Sequence, residues 1–134
     1  MAKLFCLLNH SLTDAQNREI SEKLQVSKVE IPPSTLKILW ENISPEGELK
    51  LNSLNRLVEW LRRVSNPGDY VLVQGEFGAT YYIVDFCFEN DLIPIYATSK
   101  RVYSEKNLSS EDVLREHLFK HVNFRKYVRW RKID

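Results

Sequence analysis

The chain has 134 residues, 43% of them hydrophobic and 28% charged, with 19 Lys and Arg against 18 Asp and Glu. That length suits one domain spanning 1–134, and the hydrophobic fraction is enough to fill a core. The composition excludes an intrinsically disordered chain, and a net charge of +1 excludes a generally basic nucleic-acid coat. Apolar runs such as Leu4–Leu8 and Val71–Val73 are far shorter than the roughly 20 residues that span a bilayer. No charged-then-apolar leader opens the sequence, which predicts a cytoplasmic protein without a membrane partner. Cys6 and Cys87 lie inside apolar segments and are expected to be buried, reduced thiols.

The near-neutral total hides an asymmetry. Between Arg115 and Lys132 there are seven basic residues and one acid, Glu116, which leaves 12 basic and 17 acidic residues elsewhere. A basic tail on an acidic body suits an anionic partner or self-association. It equally suits an edge strand protected by Lys and Arg.

In chain order, Lys3–Leu8 is apolar after its first residue and reads as a strand buried on both faces. Thr13-Asp14-Ala15-Gln16 has capping-box spacing, so a helix is expected from Thr13 to about Leu24. Val29–Ile31 reads as a short strand stopped by Pro32-Pro33. Leu36, Leu39, Trp40 and Ile43 recur at helical spacing, as do Leu54, Leu57, Val58 and Leu61, with a turn at Ser44–Gly47 between them. Asn66–Asp69 closes the second of these helices, and Tyr70–Val73 is the next buried strand. Gln74–Thr80 is expected to be a glycine-bearing loop, followed by a helix from about Ala79 to Cys87. Leu92–Ala97 is a fourth strand, expected to end in a Thr98–Arg101 loop. The polar stretch 104–112 reads as a loop. Leu118–Val128 reads as a closing antiparallel strand that could pair with Val102–Tyr103. Alternating strands and helices of this kind predict a Rossmann-like α/β three-layer fold with a mainly parallel sheet and a C-terminal antiparallel strand or hairpin.

Ligands of such sheets bind beyond the carboxyl ends of the strands. Three segments are expected there: Asn9–Thr13, Gln74–Thr80 and Thr98–Arg101. The first two lead into helix N-termini, whose unpaired N–H groups favour anions. Gly75 and Gly78 would admit a phosphate close to the backbone, Lys100 and Arg101 bring positive charge, and His10 can move protons near neutral pH. The combination predicts a phosphate-bearing ligand. Against it, Thr13 also reads as a simple helix cap, and Glu76 would repel a phosphate unless it met a ribose hydroxyl or a base. Gly75-x-x-Gly78 is neither a Walker A nor a G-x-G-x-x-G loop. His117 and His121 are spaced i, i+4 without a cysteine or carboxylate cluster, so no metal site is expected. There is no G-x-S-x-G elbow, and Trp40 and Trp60 sit among leucines, as core residues do.

The segments Asn9-His10-Ser11-Leu12-Thr13-x-x-Gln16, Gly68 through Tyr81 (GDYVLVQGEFGATY), Ile93 through Arg101 (IPIYATSKR) and Phe119-Lys120-His121-Val122-x-Phe124-Arg125 occur in this order. Together they resemble a group of small single-domain accessory proteins of type III CRISPR systems, the ring nucleases. The likeness covers nearly the whole chain except the Val128–Asp134 tail. It implies a compact CRISPR-associated Rossmann fold and a homodimer that binds a cyclic oligoadenylate across its two-fold axis. It implies cleavage of cyclic tetra-adenylate to linear di-adenylate with 2′,3′-cyclic phosphate ends, which switches off antiviral signalling, with no cofactor and no DNA partner. Better-known members often carry a Lys in the glycine loop, and this loop has none. On this reading His10 is general base or acid, and Arg101, with Lys100 second, stabilises the charged phosphorane. Asn9, Ser11, Thr13, Gln74, Gly75, Glu76, Phe77, Gly78, Thr80, Thr98 and Ser99 are expected to contact the ligand. Two other readings are a non-catalytic binder of the same messenger and an interaction module that docks through the basic tail.

Overall fold

The computed structural model describes residues 2–107 and 112–132. The elements are β1 (Lys3–Leu7), α1 (Asp14–Glu22), β2 (Lys28–Glu30), α2 (Ser34–Glu41), α3 (Leu51–Val64), β3 (Tyr70–Val73), α4 (Phe77–Glu89), β4 (Ile93–Asn107) and β5 (Val113–Lys126). They form a five-stranded sheet in the order β2-β1-β3-β4-β5. The first four strands are parallel, and β5 runs antiparallel to β4. The fold is therefore Rossmann-like, with the mainly parallel sheet and antiparallel closing strand that the sequence predicts.

Because successive strand residues point to opposite faces, one continuous apolar run feeds two cores. Phe5, Leu7, Val71 and Val73 pack under α2, α3 and α4 with Trp40, Leu57, Leu61 and Ile83. Leu4, Cys6, Leu8 and Leu72 face the other way, with Ile20 of α1, Ile95 and Phe124. Phe5 and Trp60 meet edge to face, with ring centroids 5.5 Å apart. The turn before β3 is held by buried Asp69, whose carboxylate accepts from Lys3 N at 3.0 Å and Asn66 N at 2.9 Å. Gly68 takes φ +90 there, a conformation open to glycine at little cost.

The start of α1 follows its local code. Thr13 Oγ1 accepts from Gln16 N at 3.1 Å, and Gln16 Oε1 accepts from Thr13 N at 3.0 Å.

Four expectations are corrected. The helix after β3 begins at Phe77, not Ala79, because Glu76 caps it. Thr98–Arg101 is not a loop, and neither is Ser104–Asn107: all lie within β4. The remainder of the expected 104–112 loop falls at 108–111, outside the described residues, and at Asp112, which directly precedes β5. The closing strand starts at Val113 rather than Leu118, and its pairing includes Val102↔Leu118 and Tyr103↔His117. The physical reason is common to these segments. Past Ala97 the two strands satisfy each other's backbone as a ribbon, and at Ser99–Arg101 and Leu118–Lys120 the side chains are exposed, so no buried face imposes an apolar alternation there. A register shift between Thr98 and Ser99 marks where the ribbon departs from the sheet.

The ribbon is fastened at its base. Glu19 of α1 accepts from Phe124 N at 2.8 Å and meets His121 Nε2 at 2.7 Å, the two side chains being 10% and 6% exposed. His121 is thereby committed to a structural pair.

Candidate functional site

The strand order turns around β1, which makes the carboxyl ends of β1 and β3 the expected ligand crevice. In this chain that crevice is filled. The Trp40 indole Nε1 donates to the Gln74 carbonyl at 3.1 Å. Its ring lies so close to Gly75 that a Cβ there would sit 2.8 Å from Cζ2. Gly75 thus serves the packing of a tryptophan that is 2% exposed. We predict that Gly75→Ala, which must push this ring aside, lowers stability by about 1–3 kcal/mol, read as a drop in the urea midpoint.

The glycine loop is also closed to an anion by its own carboxylate. Glu76 accepts from Gly78 N at 3.1 Å and from Ala79 N at 2.8 Å, so it occupies the α4 N-terminus where a phosphate was expected. Gln74 is equally engaged, with its Oε1 accepting from Ala97 N at 2.9 Å and tying β3 to β4. Thr98 Oγ1 bonds to Asn123, and Thr13 is spent on its cap.

The open space lies one strand over. A pocket of about 320 Å³ sits above the carboxyl ends of β1 and β2, between the first halves of α1 and α2. Cys6, Leu8, Val29 and Trp40 line its apolar part; His10, Ser11, Asn17 and Lys37 supply the polar groups. His10 Nδ1 lies 2.8 Å from the Ser11 carbonyl. A carbonyl only accepts, so Nδ1 carries the proton and a neutral ring presents Nε2 as an acceptor. Lys37 pairs with Glu41 at 3.3 Å, with the two side chains 48% and 29% exposed. Such a surface pair is worth about 0–1 kcal/mol, so an incoming anion displaces Glu41 at small cost.

Lys37 also acts on the pocket floor. Burial pushes the Cys6 thiol up to about 11, and the Lys37 ammonium pulls against that rise. Burial alone pushes Cys87 up to about 12. Both thiols are therefore neutral at physiological pH, and neither is an activated nucleophile. Since both folded values exceed the ordinary 9.0, the unfolded chain loses these protons first as pH rises. The stability is intact below about pH 9 and falls between there and the folded values. Urea denaturation from neutral to alkaline pH is expected to show this decline, and Cys87→Ala to make it shallower.

Of the predicted site residues, the structure brings His10 and Ser11 together at this pocket, with Asn9 exposed beside them. Gln74, Gly75, Glu76, Gly78, Thr13 and Thr98 are engaged as described. Phe77 and Thr80 face a different groove, between α4 and the tail. Ser99, Lys100 and Arg101 stand on the ribbon, where Lys100 is opposite Lys120 and the Arg101 guanidinium lies 5.5 Å from the Phe119 ring centroid. Lys100 and Arg101 do not line the His10 pocket.

Sequence alone assigns Lys37 and Asn17 only to helices, α2 and α1. The signal was topological: β2 is parallel to β1, so the segment after it, Ile31 to Lys37, also reaches the ligand edge. Among the described residues no helix is long and apolar enough to cross a membrane.

Comparison with known proteins agrees with a family assignment over the whole fold. The chain is 40% identical over 127 residues to a Methanocaldococcus jannaschii protein described as "Uncharacterized protein MJ1673", covering 95% of this chain and 98% of that one. No solved structure matches. The model of the "Uncharacterized protein MJ1673 family" matches residues 2–125, β1 through nearly all of β5, and the chain belongs to that family.

Proposed function

We propose that this protein binds cyclic tetra-adenylate and opens it as a metal-independent ring nuclease of type III CRISPR signalling, acting as a homodimer in the cytoplasm. The observation that carries the reading is the meeting of His10, Ser11, Asn17 and Lys37 around one pocket at the carboxyl edge of the sheet. The ordered likeness of its segments to the ring-nuclease group gives that pocket its ligand.

The chemistry needs alignment and charge stabilisation more than a reactive side chain. A ribose 2′-oxygen attacks the adjacent phosphorus, the 2′-O–P bond forms and the P–O5′ bond breaks, leaving a 2′,3′-cyclic phosphate. His10 Nε2 takes the 2′-hydroxyl proton, and the departing 5′-oxygen collects a proton from water or from His10. Lys37 stabilises the extra negative charge on the phosphorane, while Ser11 and Asn17 orient the phosphate and ribose. Cyclic tetra-adenylate has two-fold symmetry, which an isologous dimer matches by presenting the same pocket twice. Lys100 and Arg101 then serve as outer cations for the remaining phosphates.

The test is a multiple-turnover assay with radiolabelled cyclic tetra-adenylate in EDTA, with the products separated by chromatography. Linear di-adenylate ending in a cyclic phosphate is the expected product. Ligand that stays intact and bound makes the protein a messenger sponge or sensor. Ligand neither cleaved nor bound overturns the reading.

A further inference from the structure

The pocket above the carboxyl ends of β1 and β2 is divided by chemistry. Its polar side chains, His10, Ser11, Asn17 and Lys37, are taken up by phosphate and ribose on the reading above. The rest of the wall is apolar, with Leu12, Val29, Ile31 and Pro32 facing the same space. Two further polar atoms on the floor are poor partners for a ligand. Trp40 Nε1 donates to the Gln74 carbonyl at 3.1 Å, and burial keeps the Cys6 thiol neutral, hence a weak donor. Ile31 has no role in the fold that accounts for it. It is 61% exposed and packs into neither core, yet it lines the pocket, which places it at the mouth. A volume of about 320 Å³ is at the small end of ligand pockets, which span roughly 300–1,000 Å³. Such a space takes one nucleotide unit of a ring and not four.

We propose that this apolar half seats a single purine base, with Ile31 against its face, and that it selects adenine by exclusion. The inference rests on the nucleotide reading of the pocket and adds what decides the base. A base that enters gives up water along its edges, and a polar group buried there without a partner is strongly disfavoured. Guanine carries a carbonyl, a ring N–H and an amino group on the edge away from the ribose. Adenine carries one amino group and a ring nitrogen. Cytosine and uracil each bring a carbonyl, and a single ring covers less of the wall. Adenine is therefore the base that this wall penalises least. Selection of this kind needs no hydrogen-bonding side chain aimed at the base. Once phosphate and ribose are served, the side chains left in the pocket are of that apolar kind.

Isothermal titration of the full chain with adenosine, guanosine and uridine 5′-monophosphates tests this. Purine riboside 5′-monophosphate, which lacks the amino group, is the decisive probe. The adenosine nucleotide is expected to bind at least about ten-fold tighter than the other two. The purine riboside nucleotide should bind within about three-fold of it, because no partner for the amino group is lost; a site built to hydrogen-bond that group would reject the analogue. Ile31→Asn should weaken adenosine monophosphate and cyclic tetra-adenylate at least about five-fold, with unchanged circular dichroism because the side chain is largely exposed. Ile38→Asn, at a 60% exposed isoleucine of α2 that does not line the pocket, should bind both as the wild type does. Guanosine monophosphate bound as tightly as the adenosine nucleotide overturns the inference. So does unchanged affinity in Ile31→Asn, or a protein that binds no mononucleotide. A loss of about a hundred-fold or more with the purine riboside nucleotide overturns selection by exclusion and gives the base to a hydrogen-bonding side chain such as Asn17. Adenosine monophosphate bound with cyclic tetra-adenylate refused supports the base seat and overturns the ring-nuclease reading alone.

Discussion

Glu19→Ala is expected to lower stability by about 2–4 kcal/mol. Glu19 is the acceptor for two donors at once, the Phe124 amide and His121 Nε2. Both lie where water does not reach them freely, with His121 6% and Phe124 8% exposed. Removing the carboxylate leaves two donors without a partner, and each buried orphan costs about 1–3 kcal/mol. The loss falls at the base of the ribbon, where β5 joins the core beside Ile20 and Ile95. Glu19→Gln keeps an acceptor for the Phe124 amide and should lose about half as much. Urea denaturation measures the sum, and amide exchange of the ribbon residues locates it. A Glu19→Ala protein of wild-type stability would mean that the ribbon is held from elsewhere.

The second large effect is on catalysis. His10→Ala and Lys37→Ala are each expected to reduce the single-turnover rate on cyclic tetra-adenylate by about 10²–10³-fold. The two changes should differ in how they do it. On the proposed mechanism Lys37 meets the phosphate before and during reaction, so Lys37→Ala should also weaken binding, and Lys37→Arg should recover part of both losses. His10→Ala removes a proton acceptor and should leave binding nearly intact. Arg101→Ala, on the ribbon and not lining the pocket, is expected to cost less than either. Wild-type rates in both His10→Ala and Lys37→Ala would remove the chemical core of the proposal.

Legibility from sequence followed the range of each interaction. The capping box at Thr13 and Gln16 closes over three residues, so its spacing alone announced α1. β1 and β3 were readable because both faces of each strand are buried and demand continuous apolar runs. The ribbon is readable only in part: the closing strand and its pairing with Val102–Tyr103 are expected from sequence, whereas Thr98–Arg101, with no apolar alternation, reads as a loop. The glycine loop misled for a different reason. Gly75 and Gly78 have the chemistry of a phosphate cradle, yet Trp40, 35 residues before Gly75 in the chain, fills the space above one. Glu76 caps the amides near the other. Lys37 could be assigned to the pocket only after the parallel pairing of β1 and β2 had carried the start of α2 to the same edge as His10.

The central claim is that a cyclic oligoadenylate seats beside His10 and Lys37 rather than on the glycine loop. An amide-resolved NMR titration of the protein with cyclic tetra-adenylate tests this most directly. The account predicts shifts concentrated at residues 8–12, at Asn17 and around Lys37, with small changes from Gly75 to Thr80. Shifts centred on Gly75–Thr80, or a spectrum unmoved by the ligand, would contradict it.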